Sequence, residues 1–151
     1  MWNKIKPYVY FIGLSLGVGA LSALLTRGNM NIYDSIKEPP LSPPMWLFPV
    51  VWTILYTLMG IGAALVYSEE KSVPGVFYVQ LAVNFLWSII FFNLRMFLLS
   101  SIWLVLLILL IWRMIKVFRI YDVRSAYLQV PYLIWCVFAL YLNVAIWLIN
   151  K

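Results

Sequence analysis

The sequence IWLVLLILLIW, residues 102–112, contains no charged, amide or hydroxyl side chain. The apolar run around it extends from about Leu98 to Val117. A helix needs about 20 mostly apolar residues to cross a hydrocarbon core of about 30 Å, so this run predicts a transmembrane helix. A helix that is apolar on every face is typical of a segment surrounded by lipid or by other helices. We therefore interpret this span as a scaffold element of a membrane protein.

Four more runs of this kind occur along the chain. The five runs cover residues of about 8–25, 45–67, 76–94, 98–117 and 130–149. Hydrophobic residues make up 65% of the 151 residues and charged residues only 11%, with a mean hydropathy of +0.95. A soluble domain carries about 25% charged residues, which excludes that class. We expect an all-α membrane protein, in which residues 1–151 form a single five-helix transmembrane domain with short connections.

The first run has two interpretations. Lys4 and Lys6 precede it, and Ala20-Leu21-Ser22 loosely resembles a signal-peptidase site, as in a cleaved signal peptide. A retained helix is favoured because the apolar stretch is long for a signal peptide. Gly13 and Gly17 also have the small-xxx-small spacing of close helix packing. These glycines predict a contact either within the bundle or at a dimer interface.

The basic residues indicate an orientation rather than a nucleic-acid surface. The net charge is +6, but the Lys and Arg residues are scattered along the chain. With five spans, the side of the N-terminus holds Lys4, Lys6, Lys71, Arg113, Lys116, Arg119 and Arg124. The opposite side holds Arg27, Lys37, Arg95 and Lys151. The positive-inside rule predicts a cytoplasmic N-terminus and an external C-terminus. We expect the membrane to be a bacterial cell membrane.

The composition excludes several kinds of chemistry. The chain has no histidine, one cysteine (Cys136) and five acidic residues, none of them within a span. Serine or cysteine catalysis with a histidine base, His/Cys zinc sites, histidine-ligated haem and an internal disulfide are therefore excluded. We predict no metal site and no required cofactor. The absence of an acidic residue at membrane depth also argues against ion-coupled transport.

Polar and aromatic residues recur at helical spacing in three of the spans. The third span carries Gln80, Asn84, Trp87, Ser88, Phe91 and Arg95 on one face. The fifth carries Tyr132, Trp135, Ala139 and Asn143, and the second carries Trp52, Tyr56, Gly60 and Ala63. Unpaired amides are costly in hydrocarbon, so these faces are expected to point into the bundle.

Two interpretations of these faces remain open. In one, the asparagines bond between helices and the aromatic residues fill the core. In the other, large flat side chains from three helices enclose a cavity for a flat apolar ligand.

The first connection, residues 27–44, favours a cavity. It contains Pro39, Pro40, Pro43 and Pro44, which restrict the backbone and exclude helix. Such a stiff segment is expected to act either as a lid over the bundle or as a spacer. Pro49 and Pro131 fall early in the second and fifth runs, where they start or kink a helix.

Three ordered segments together resemble a known family. The first is KEPPLSPPMWLFPVVWTILYTLMG, residues 37–60, within a similarity that extends from Tyr33 to Val66. The second is NFLWS at 84–88 with Phe91-Phe92, and the third is PYLIWCVFALYLN at 131–143. They resemble the tryptophan-rich sensory protein family, also called translocator protein or peripheral-type benzodiazepine receptor. The resemblance covers essentially the whole chain.

The resemblance implies a five-helix membrane protein, commonly a homodimer, that binds porphyrins such as protoporphyrin IX, with haem a further candidate. It also implies binding of benzodiazepine-site ligands. The family pocket corresponds here to Tyr33, Pro44, Trp46, Trp52, Asn84, Trp87, Trp135, Phe138, Ala139 and Asn143. The helical faces described above add Tyr56, Ser88 and Phe91. At the C-terminal end, Trp147 stands in the tyrosine position of the family's steroid-recognition pattern, which argues against cholesterol binding.

Three functions are compatible with these observations. The first is a porphyrin-binding sensor or carrier. The second is light-dependent oxidative degradation of protoporphyrin IX, with porphyrin as substrate and with Trp52 and Trp135 as catalytic residues that position the macrocycle. The third is a dimeric membrane scaffold. Conventional acid-base or nucleophilic catalysis is not expected, because the predicted pocket has no general acid or base.

Overall fold

The computed structural model describes residues 1–29 and 31–151, except for the side chain of Tyr33. The α-helices are α1 (Trp2–Thr26), α2 (Ile32–Ser35), α3 (Leu47–Glu70), α4 (Gly75–Ser88), α5 (Phe97–Tyr121), α6 (Val123–Leu128) and α7 (Val130–Asn150). One turn of 3-10 helix (Arg27–Asn29) follows α1, and a π-helical turn (Ile89–Asn93) extends α4. Five helical segments are long and apolar enough to cross a membrane. The predicted all-α membrane fold is confirmed, and the chain is an integral membrane protein.

Two helices are longer than their apolar runs. The first, predicted over about 8–25, begins at Trp2, and the fourth, predicted over about 98–117, continues to Tyr121. Lys and Arg end an apolar run without ending a helix, because their long side chains can reach the polar interface. Lys116, for example, lies over the ring of Trp112, with its ammonium 5.3 Å from the ring centroid. Hydropathy alone therefore placed the start of α1 too late and the end of α5 too early.

Prolines and residues with a left-handed backbone, among them Lys71 and Arg95, separate the helices. Within the predicted loop of residues 27–44, two short helical turns precede a segment, residues 36–46, that contains no helix. Pro49 and Pro131 lie in the first turns of α3 and α7, where a backbone N–H has no helical partner, so they start helices. Lys71 ends α3 with a φ of 61°, and its N–H donates to the Tyr67 carbonyl at 2.7 Å.

The most extensive helix contact in the described chain joins α1 and α3. A Cβ atom at Gly60 would collide with the backbone of Ile12 and with the Phe11 carbonyl. Gly13 and Gly17 lie elsewhere on α1, and a Cβ on either would meet no atom of the described chain within 4 Å. Of the two predictions for these glycines, packing within the chain is therefore wrong, and the dimer interface stays a prediction.

The helices α3 and α7 are held apart. The α7 helix packs against α5, and α3 packs against α1 and α6, whereas the α3 and α7 backbones scarcely meet in the described chain. Aromatic rings lie in the space between them. The ring centroids of Trp52 and Tyr132 are 6.2 Å apart, and those of Phe48 and Trp135 are 5.9 Å apart. This separation leaves room for a cavity.

Candidate functional site

A cavity of about 130 Å³ lies between α1, α3, α4 and α7. Three tryptophans face it, each from a different helix: Trp52, Trp87 and Trp135. The complete lining is Gly19, Ser22, Ala23, Thr26, Met45, Phe48, Pro49, Trp52, Tyr56, Trp87, Ser88, Phe92, Trp135 and Ala139. None of these side chains is charged, so the cavity suits a flat apolar group rather than an ion.

The three indole rings are fixed to different degrees. Trp52 packs on Tyr56, with 5.6 Å between the ring centroids. Trp87 stacks on Phe91 at 5.3 Å and donates its N–H to the Asn143 Oδ1 at 3.0 Å. The Trp135 N–H is buried but has no hydrogen-bond partner among the described residues. Trp135 is thus a lining residue whose indole N–H is an unpaired, buried donor, which is uncommon in native structures.

A chain of side-chain hydrogen bonds lies behind the cavity wall. The Tyr56 hydroxyl donates to the Asn84 Oδ1 at 2.8 Å, and the Asn84 Nδ2 donates to the Tyr132 hydroxyl at 2.8 Å. The Tyr132 hydroxyl in turn donates to the Gln80 Oε1 at 2.7 Å. These four side chains are buried and connect α3, α4 and α7. The network fixes Tyr56, which is its member in the cavity lining.

The two predicted asparagines therefore have partners within the protein. The oxygen and the nitrogen of the Asn84 side-chain amide are both used in the network. Asn143 accepts from Trp87, and its Nδ2 donates to the Phe97 carbonyl at 3.0 Å. Neither asparagine belongs to the cavity lining. For the asparagines this position favours the first interpretation of the polar faces, in which they bond between helices. The aromatic residues instead agree with the second interpretation, because Trp52, Trp87 and Trp135 line a cavity.

The face that α1 contributes consists of small residues. Gly19, Ser22, Ala23 and Thr26 line the cavity and recur at spacings of three and four, which places them on one side of the helix. None of the predicted ligand-binding residues lies among them. The periodicity was visible in the sequence, but small side chains carry no chemical signal that distinguishes a cavity wall from ordinary helix packing.

The π-helical turn changes which residue after α4 reaches the cavity. The Leu94 N–H bonds to the Ile89 carbonyl at 3.0 Å, five residues back rather than four. A wider turn of this kind rotates the side chains that follow it. Phe92 lines the cavity, while the predicted Phe91 is buried in a second cluster with Ile32 and Ile146. Phe91 and Phe92 both follow Ser88 at helical spacing, so the period alone could not show which of them lines the cavity.

Some of the predicted ligand-binding residues are brought together and others are not. Those that line the cavity are Trp52, Tyr56, Trp87, Ser88, Trp135 and Ala139. Pro44 and Trp46 are exposed on the loop outside the lining, and Phe138 lies behind Trp135 at a ring distance of 5.5 Å. The side chain of Tyr33 lies outside the described residues. Ligand contact itself, and the photo-oxidative role of Trp52 and Trp135, stay predictions.

The proline-rich loop is fastened to α7 at two points. The Lys37 N–H donates to the Asn150 Oδ1 at 2.8 Å, and the Asn150 Nδ2 donates back to the Lys37 carbonyl at 3.0 Å. The Tyr141 hydroxyl donates to the Pro40 carbonyl at 2.7 Å. The loop then continues into Met45 and Phe48, which line the cavity. These bonds form a latch that holds the loop beside the cavity.

Comparison with known proteins identifies the relatives of this chain. A sequence model described as the TspO/MBR family matches residues 11–148. Protein CrtK of Rhodobacter capsulatus is 40% identical over 148 residues, which cover 94% of this chain and 91% of that protein. The tryptophan-rich sensory protein of Cereibacter sphaeroides is 39% identical over 74% of this chain and 72% of its own length. The translocator protein of Bos taurus is 34% identical over 96% of this chain and 92% of its own length.

Proposed function

The chain belongs to the TspO/MBR family, and from this premise we propose that it binds porphyrins, protoporphyrin IX above all and also haem, in the aromatic cavity. In this proposal it acts as a sensor or carrier, and benzodiazepine-site ligands occupy the same cavity. The supporting observation is the wall of three indole rings, one of which has a buried, unpaired N–H. A macrocycle would pack against the rings, and a carbonyl or carboxylate oxygen of the ligand would accept from Trp135.

The orientation and assembly belong to the same proposal. The N-terminus lies in the cytoplasm of a bacterial cell, because seven basic residues fall on its side of the membrane and four on the other. The open face of α1 around Gly13 and Gly17 is available to a second copy in a homodimer. Arg27 is exposed directly after Thr26, at the end of α1 that lines the cavity, and would attract the propionate groups of a porphyrin.

Titration with protoporphyrin IX tests the role of the cavity. We expect saturable quenching of tryptophan fluorescence in the purified protein, and an affinity about tenfold weaker in Trp135→Phe. Phenylalanine keeps an aromatic ring but removes the unpaired N–H, and a hydrogen bond to a charged group contributes about 1.5–3 kcal/mol. The matched control is Trp112→Phe, which removes an exposed indole of α5 outside the cavity. Quenching that does not saturate in the wild-type protein would contradict the proposal, and equal affinities of the two variants would exclude Trp135 as a donor.

The size of the cavity predicts a requirement for opening. A volume of about 130 Å³ is below the range of about 300–1,000 Å³ that drug-sized ligands occupy, so a macrocycle enters only when the wall moves apart. The latch to α7 opposes that movement. In the double variant Tyr141→Phe/Asn150→Ala we expect protoporphyrin IX to associate about a hundredfold faster, because three hydrogen bonds between the loop and α7 are lost and each contributes about 1 kcal/mol.

Stopped-flow fluorescence measures this association rate. The matched control is Ser42→Ala, which removes a 2.8 Å hydrogen bond to the Pro39 carbonyl within the loop but leaves both attachments to α7. We expect its rate to equal that of the wild-type protein. An unchanged rate in the latch variant would mean that ligands enter by another route, such as between α1 and α4.

A further inference from the structure

A second cleft opens at the opposite end of the bundle from the aromatic cavity. It lies between the N-terminal turns of α1, the end of α3 and the start of α4, and its volume is about 660 Å³. Its lining includes Lys6, Lys71, Phe11, Tyr10, Tyr67 and Tyr78. None of these residues takes part in the porphyrin binding proposed above.

The floor of the cleft is apolar. Phe11 is buried, with 3% of its surface exposed. Its ring packs against Tyr67 at 5.7 Å and against Phe77 at 5.9 Å between centroids. The floor is therefore a fixed aromatic surface, which favours a hydrocarbon group over water.

The rim of the cleft is cationic. Lys6 and Lys71 are both exposed, and neither ammonium lies within 4 Å of a carboxylate in the part of the chain that the structure describes. Asp122, an acidic residue at this end of the bundle, pairs instead with Arg124 at 2.9 Å. Glu69 and Glu70, at the end of α3, are exposed and do not line the cleft. Two unpaired positive charges beside one cleft attract an anion, and basic recesses between transmembrane helices are suited to phosphate-bearing lipid headgroups.

We propose that this cleft binds a phosphate ester on an anionic amphiphile, with the phosphate between Lys6 and Lys71 and the hydrocarbon part on Phe11. The hydroxyl groups of Tyr10, Tyr67 and Tyr78 supply donors around it, as phenols do at a membrane interface. The apolar floor and the position at the more basic end of the bundle favour a phospholipid over a soluble phosphate.

Native mass spectrometry of the detergent-purified protein tests this site. The protein is incubated with an equimolar mixture of phosphatidylglycerol and phosphatidylcholine that have the same acyl chains. We expect phosphatidylglycerol to be retained preferentially, and its retention to fall about tenfold in Lys6→Gln/Lys71→Gln. Lys6→Arg/Lys71→Arg keeps both charges and is expected to retain the lipid.

The control variant is Lys4→Gln/Lys116→Gln. It lowers the net charge by the same amount at the same end of the bundle, but neither residue lines the cleft. Equal losses in the two glutamine variants, or no preference for phosphatidylglycerol in the wild-type protein, would overturn the proposal. A competition with millimolar glycerol 3-phosphate distinguishes a phospholipid from a soluble phosphate ester as the ligand. Displacement of the lipid would show that a soluble phosphate ester is sufficient for binding, whereas a lipid that stays bound would show that the acyl chains are needed.

Discussion

Replacing Gly60 by alanine is expected to lower the free energy of unfolding by about 3 kcal/mol. The added Cβ would meet the backbone of Ile12 and the carbonyl of Phe11, and a helix backbone cannot move aside as a side chain can. The helices α1 and α3 must then separate, which also displaces Tyr56 from Gly19 at the cavity. Equilibrium unfolding in mixed detergent micelles, followed by circular dichroism, measures the loss.

The matched control for this prediction is Gly13→Ala. An added Cβ at Gly13 meets nothing within 4 Å in the described chain, and alanine is the better helix former by about 1 kcal/mol. We therefore expect Gly13→Ala to be neutral or slightly stabilising. If Gly60→Ala were as stable as Gly13→Ala, the close contact of α1 with α3 would not exist.

Replacing Asn84 by leucine is expected to cost about 2 kcal/mol of stability and to weaken porphyrin binding severalfold. The substitution removes the acceptor of the Tyr56 hydroxyl, which is then left buried without a partner. An unsatisfied buried hydroxyl costs about 1–3 kcal/mol. Because Tyr56 lines the cavity, a displaced Tyr56 ring is expected to weaken the binding of the ligand.

A double variant distinguishes this network from simple packing. Asn84→Leu/Tyr56→Phe removes both partners of the hydrogen bond, which can be nearly neutral when the shapes are similar. We expect the double variant to unfold at a higher concentration of denaturing detergent than Asn84→Leu alone. A double variant that is no more stable than the single variant would show that the Tyr56–Asn84 bond has no net effect on stability.

The five spans were predictable because lipid imposes a simple constraint. A chain that crosses hydrocarbon must satisfy its backbone polar groups within each helix, so long apolar runs identify the spans with little dependence on tertiary contacts. The same argument failed at the helix ends near Lys4 and Arg119, where polar interface residues belong to the helix. Hydropathy measures burial in lipid and not the extent of helical hydrogen bonding.

The candidate site was predictable in part. Trp52, Trp87 and Trp135 fall on inward faces, because aromatic and polar residues at helical spacing mark the side that avoids lipid. The contribution of α1 was not predicted, since Gly19 and Ala23 are unremarkable in any membrane helix. Phe92 was not among the predicted site residues, because Phe91 and Phe92 both follow Ser88 at helical spacing and the π-helical turn that selects Phe92 has no signal in a single sequence.

The sequence by itself determined the solvent, the number of spans, the family and the chemistry that is absent, because each depends on composition or on local order along the chain. The tertiary structure decided how the polar groups are used. Asn84 and Asn143 are equally polar in the sequence whether they face a ligand or another helix, and only the positions of Tyr56, Tyr132 and Trp87 show that their amides are already bonded. Hydrogen bonds between helices depend on distances of about 3 Å across elements far apart in the chain, and the pattern within one helix carries no information about them.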